Sequence, residues 1–216
     1  MSRQVLVDHL FQPLALMKYA CHLQKVDYSA IKVVDAGGPE AMEAAFRQGH
    51  GDFVHLQGPA AQQLEHEGIG VVVAKMGDAV GPVAFSSLFA RRSWLKTDMA
   101  RAFMRAYSKG RLATKELKPK EVAEAPRVQK LSKTPLKPMF QGFSSHIFGL
   151  NQVVKPFFDI DFQVLSATVE VYQRMGCWDG DVSVPPETYE RLLDAFLYSG
   201  VITKRHPYDA SIAAVE

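Results

Sequence analysis

The chain is poor in most of the features that announce a function. It has only two cysteines in 216 residues, Cys21 and Cys177, far apart and in no CxxC or metal-ligand spacing. A disulfide framework and a zinc site are thereby unsupported, and both cysteines read as buried free thiols. Charge of one sign is also lacking: 25 Lys and Arg stand against 23 Asp and Glu, a formal net charge of +2. Nothing in that balance asks for nucleic acid as a partner. Long hydrophobic runs are missing too, since stretches such as "IGVVVAKM" (69–76) fall far short of the roughly 18 residues of a membrane span. No secretory signal is visible at the start of the chain as given, so cytosol or an organelle matrix is the expected location, with the periplasm expected only for a fragment.

What is present is an ordinary globular composition, 47% hydrophobic and 22% charged, with a clear alternation of patterns. "QVLVDH" (4–9) is a β-type run, and Leu10, Leu14, Met17 and Cys21 follow at helical spacing. "IKVVDA" (31–36) is a second strand, followed by a helix from Pro39 with Met42, Ala45 and Phe46 on its buried stripe and Gly49 at its end. "DFVHLQ" (52–57), a helix from Pro59 to about Glu67 stopped by Gly68, and "IGVVVAKM" complete a βαβαβαβ pattern. Strands alternating with short helices imply an α/β fold with a parallel sheet.

"PVAFSSLFAR" (82–91) reads as one more extended segment, and a long helix is expected from Ser93 as N-cap, with Met99, Phe103, Ala106 and Tyr107 on one face. Residues 115–137 hold seven Lys or Arg against three Glu and are broken by Pro119, Pro126 and Pro135. No aromatic interleaves with those charges before Phe140, so a solvated connector is expected rather than a nucleic-acid surface. Two helices close the pattern. One carries Phe162, Leu165, Val169 and Tyr172 on a face, and the other runs from Pro186 to Gly200. The tail from Val201 reads as a surface extension. The expected domains are therefore an α/β ligand-binding lobe over 1–80 and a returning strand with a helical partial second lobe over 81–216.

All three early helices start just past a strand, each with a proline in or near its first turn: Pro13, Pro39 and Pro59. Their N-termini should converge on the carboxyl edge of the sheet, where free N–H groups and helix dipoles favour an anionic or polar ligand. Gly37, Gly38 and Gly58 would allow close backbone approach, or merely make tight turns. "AGGPEAM" lacks the GK(S/T) ending of a phosphate loop and does not match GxGxxG, which disfavours nucleotide chemistry. His55 reads as a satisfied core or rim histidine, on the same strand face as Phe53 and Gln57. Asp8 and His9 are adjacent on a strand and point to opposite faces, so they do not form a carboxylate–imidazole pair. No nucleophile, metal site or cofactor is assigned.

The segments "VLVDHLFQPLALMKYA", "KVVDAGGPEAMEAAFRQGHGDFVHLQGPAAQQLEHEGIGVVVA", "FSSLFARRSWLKTDMARAFMRAYSKG" and "KPKEVAEA" occur in an order and spacing that resembles the nitrate/sulfonate/taurine group of type II periplasmic substrate-binding proteins. That group shares its fold with the thiamine-pyrimidine precursor synthases. The likeness covers roughly residues 4–125, and "GVITKRHPYD" looks like the group's C-terminal part. It implies a complete second lobe over 4–76, with the segment that builds most of the first lobe not represented. Hinge closure over a ligand is then not implied. Position by position, the resemblance carries ligand contacts onto His9, Phe11 and Gln12, onto Gly37 and Gly38, and onto Gln57 and Gly58. The synthases' cysteine-rich motif has no counterpart here.

Three functions stay open. The first is a small-molecule binding protein taking a small anionic or heterocyclic ligand at the sheet edge. The others are an enzyme of the same fold in cofactor biosynthesis, and an interaction or dimerisation domain without a ligand. Without first-lobe cover, the apolar stripes of 93–113 and 160–198, including Phe103, Phe162 and Phe196, are expected to form a homodimer interface of at least about 1,000 Å².

Overall fold

The computed structural model describes residues 3–8, 11–84, 87–124, 160–178 and 181–213. It divides into two compact units, Met1–Tyr107 with Asp181–Glu216, and Ser108–Gly180.

The first unit is built on three parallel strands, β1 (Gln4–Leu6), β2 (Lys32–Val34) and β3 (Phe53–Val54), in the order β2-β1-β3. Register is set by Gln4↔Lys32 and Leu6↔Val34 on one side of β1 and by Val5↔Phe53 and Leu6↔Val54 on the other. Leu6 and Val7 are fully buried, as expected of a central parallel strand covered on both faces. Two helices make the crossovers, α1 (Phe11–Leu23) from β1 to β2 and α2 (Pro39–Arg47) from β2 to β3; α3 (Ala60–His66) follows β3.

The punctuation is local chemistry. Pro39 occupies the first turn of α2, where a missing N–H costs nothing, and Met42 is its buried anchor at 1% exposure. Pro59 caps α3, and Gly68 turns the chain out of it at φ +71°. α1 buries Ala15, Leu16, Ala20 and Cys21. Its stripe packs against α4 (Met76–Val80) and α8 (Pro186–Ser199), in a cluster of Leu16, Ala20, Val80 and Ala195 flanked by Tyr19, Met76, Ala79 and Val83. α8 starts at Pro186 and ends where Gly200 adopts φ +76°, both as the sequence suggests.

Five expectations need correction. The fourth strand is not formed: residues 69–75 join no ladder, and Val71 and Val73 are 74% and 69% exposed. Their backbone is spent on closing α3 instead. The N–H groups of Ile69 and Gly70 donate to Leu64 O, and that of Val72 donates to Glu65 Oε1 at 3.2 Å. No returning strand forms among the described residues of 81–91 either, although Ala84 N–H donates to Thr188 O at 3.2 Å.

The long helix does not start at Ser93. A short helix α5 (Arg92–Leu95) comes first, and α6 (Asp98–Glu116) begins after Thr97. The Thr97 hydroxyl donates to Trp94 O at 2.7 Å and accepts from Ala100 N–H at 3.3 Å, so it closes one helix while capping the next. The tail is docked rather than loose. Its short helix α9 (Tyr208–Ser211) is held by Tyr189, whose hydroxyl bonds His206 O and Ser211 Oγ, and by Arg92, which donates to Ala210 O. Finally, Cys177 is exposed, just past the glycine turn that ends α7 (Phe162–Arg174), while Cys21 is buried and its thiol pKa is raised by desolvation.

The second unit includes α7, whose buried face is Val164, Leu165, Thr168 and Val169. Asp161 caps it, accepting from Gln163 N–H at 2.7 Å and Val164 N–H at 3.4 Å. Gln173 on α7 donates to Thr114 O and Leu117 O, tying it to the end of α6. Residues 119–124 are helical, and 125–137 of the basic 115–137 stretch lie outside the described residues. Among the described residues no helix is long and apolar enough to cross a membrane.

Candidate functional site

In the order β2-β1-β3, the chain leaves β1 toward β2 and then returns across β1 to reach β3. The two crossovers, β1 to β2 and β2 to β3, run in opposite directions along the sheet, so a crevice is expected beyond the carboxyl ends of β1 and β3, the position at which open α/β sheets hold ligands. α1 and α2 both begin at this edge, with unsatisfied N–H groups and a partial positive charge at each N-terminus.

Asp8 follows β1 by two residues and is buried, at 5% exposure. His55 extends β3 by one residue, and its N–H donates to Leu6 O at 2.9 Å. Burial pushes the His55 pKa below the ordinary histidine value, and the Asp8 carboxylate nearby acts in the opposite direction. Desolvation is the larger effect, so the ring is held neutral. A neutral imidazole offers one donor and one acceptor. Gln12 is the second residue of α1, and Gln62 is the third residue of α3 at 8% exposure.

Among the described residues, three buried side-chain atoms have no hydrogen-bond partner: Gln12 Nε2, His55 Nδ1 and Gln62 Oε1. Each such atom costs about 1–3 kcal/mol in a folded protein. All three belong to residues at the carboxyl ends of β1 and β3 or in the first turn of the helix that follows. A polar molecule seated there could offset that cost. Asp8, His55 and Gln62 were not singled out as site residues by the sequence, and His55 is not the fully satisfied histidine its strand pattern suggests. The only signal available was a polar residue set directly behind an apolar run, in "VLVD" and "FVH".

The other expected contacts fall at the same edge with different roles. Gly37, at φ +97°, donates its N–H to Asp35 Oδ1 at 2.9 Å, so this amide already has a partner within the chain. Gly38 is the N-cap of α2 in extended backbone, φ −73° and ψ 178°, and a Cβ there would meet nothing within 4 Å. Gln57 is exposed, and Gly58 precedes the Pro59 cap of α3. Phe11 is the first residue of α1. His9 lies outside the described residues. No group of three or more His, Cys, Asp or Glu among the described residues is placed to hold a metal ion.

The chain is 25% identical over 167 residues to a Bacillus subtilis (strain 168) protein named "Putative binding protein YtlA", a match that covers 76% of this chain and 42% of that one. The chain therefore spans less than half the length of this relative. No family model matches the chain, and no solved structure matches it.

Proposed function

We propose that the chain is a small-molecule binding protein of type II periplasmic substrate-binding ancestry, taking a small anionic or heterocyclic ligand at the carboxyl edge of the β2-β1-β3 sheet. The observation that carries this reading is the set of unpartnered buried atoms on Gln12, His55 and Gln62, residues in the first turn of α1, just past β3 and in the first turn of α3. Support also comes from the N-termini of α1 and α2 at the same edge and from the relative's name as a binding protein. The ligand contacts proposed are Gln12, Gly38, His55, Gln57, Gly58 and Gln62, with Gly37 shaping the turn. A thermal-shift screen against organic anions, sulfonates, phosphates and small heterocycles tests it, since a ligand bound to the folded state alone raises Tm with concentration. A screen without any concentration-dependent shift would refute the reading.

A second reading, an interaction surface, is favoured by the exposure of Val71, Val73 and Phe89, the last at 91%. A homodimer through the helical half is part of that proposal, although Phe103, Phe162 and Phe196 are already half-buried within the chain. Sedimentation at micromolar concentration tests it, and a 24.0 kDa monomer would sink it.

A further inference from the structure

The segment that follows α3 has one edge engaged and the other open. Residues 70–75 form no helix, turn or bend, none of them has a positive φ, and Lys75 is extended at φ −116° and ψ 132°. In an extended chain the N–H and C=O of one residue point to one side and those of the next residue to the other. Val72 N–H points back to its own chain, to Glu65 Oε1 at 3.2 Å. The N–H and C=O groups of Val71 and Val73 therefore face away, and among the described residues no hydrogen bond engages any of the four.

The side chains leave this edge as open as its backbone. Val71 and Val73 share one face and are the most exposed valines of the segment, with Val72 on the other face at 41% exposure. Edge strands that stay unpaired are guarded by charge, proline or distortion. Residues 68–74 contain no charged residue and no proline. Three adjacent β-branched residues instead favour a pleated, paired strand.

The occupant follows from the pattern. Turned about a two-fold axis at Val72, the segment faces itself with Val71 opposite Val73, Val72 opposite Val72, Gly70 opposite Ala74 and Ile69 opposite Lys75. Each open N–H of Val71 or Val73 then meets an open C=O of the second copy, closing four hydrogen bonds, while Val72 keeps its bond to Glu65. No like charges oppose each other. Lys75, paired with Asp78 at 3.3 Å, would lie at one end of the ladder, roughly 20 Å from Lys75 of the second copy. β1 and β2, the other valine-bearing strands, already have their partners in the sheet.

Resting on the exposure of Val71 and Val73 in the interaction-surface reading, and separately from a dimer through the helices, we infer that residues 70–75 are a strand completed by a second copy of this chain in an antiparallel, isologous pair centred on Val72. So short a pair falls below the roughly 1,200–2,000 Å² of stable complexes, so the association is reversible, with Kd on the order of 10–100 μM.

The test combines sedimentation of the whole chain between about 5 μM and 1 mM with amide hydrogen exchange over the same range. The mass is expected to rise above 24.0 kDa with concentration, with exchange at Val71 and Val73 slowing in step and exchange at Val72 slow throughout. Val71→Lys with Val73→Lys sets like charges opposite each other twice and is expected to weaken association at least about tenfold. Val71→Lys with Val73→Glu sets opposite charges across the same pairs and is expected to restore it. Both positions are exposed, so the Tm of the dilute chain should not change in either variant.

Association that leaves the Val71 and Val73 amides exchanging freely overturns the inference and keeps an interaction surface elsewhere, as in the helical half. A chain that remains monomeric up to about 1 mM overturns it and the homodimer together. If an added valine-rich peptide of unrelated sequence then protects the same two amides, the edge takes a foreign strand instead of a second copy. Equal weakening by the Lys–Lys and Lys–Glu variants overturns the register centred on Val72.

Discussion

Gly37 and Gly38 are neighbours in sequence, yet their backbones predict opposite responses to the same substitution. Gly37 sits at φ +97°, where an L side chain is strained whatever the space around it. A Cβ there would also lie 3.5 Å from Ala41 Cβ, ordinary contact, so the cost comes from the backbone alone. Gly37→Ala should therefore destabilise by about 1–3 kcal/mol. Gly38 at φ −73° and ψ 178° is in a region open to every residue, with no atom within 4 Å of a Cβ. Gly38→Ala should be neutral or stabilising by up to about 1 kcal/mol, through the reduced freedom of the unfolded chain. Gly38→Val should fold equally well while placing two methyl groups where a ligand would approach the N-terminus of α2. Urea denaturation of the three variants, together with titration of whichever ligand the screen identifies, reads both effects. Equal stability loss for Gly37→Ala and Gly38→Ala would refute the backbone argument. A folded Gly38→Val protein with unchanged affinity would refute the placement of Gly38 at the ligand.

Two further outcomes follow from single residues. The His55 pKa is lowered in the folded state, chiefly by burial, so below its ordinary value of 6.5 the unfolded chain takes up a proton that the folded chain refuses. This contribution to stability is fully present above pH 6.5 and is lost as pH falls toward the folded pKa, at up to about 1.4 kcal/mol per pH unit. His55→Asn should flatten that slope in denaturation curves collected between pH 7 and pH 5, and identical slopes would contradict the burial of the ring. In the second unit, Asp161→Ala removes the acceptor for Gln163 and Val164 N–H and should cost about 0.5–2 kcal/mol. Faster amide exchange in the first turn of α7, largely restored by Asp161→Asn, would be the signature; unaltered exchange would show that the cap contributes nothing.

The sequence by itself determined the elements whose limits are local. Pro39, Pro59 and Pro186 open helices and Gly68 and Gly200 close them, because a ring-fixed φ or a left-handed turn is decided within a few residues. The three strand-to-helix units and their shared carboxyl edge followed from that alternation. Tertiary structure decided whether "IGVVVAKM" becomes a strand. Its valines have the propensity, but a strand exists only where a partner offers a ladder, and α3 claims the available N–H groups first. Tertiary structure also decided that the tail docks through Tyr189 and that Cys177 faces outward. The same holds for the site. Gln12 was legible from the resemblance, whereas the burial of Gln62 and the missing partner of His55 Nδ1 depend on which side chains β1, β3, α1 and α3 bring together. Burial of a polar atom is a property of its neighbours in space, and no pattern within one strand or one helix contains it.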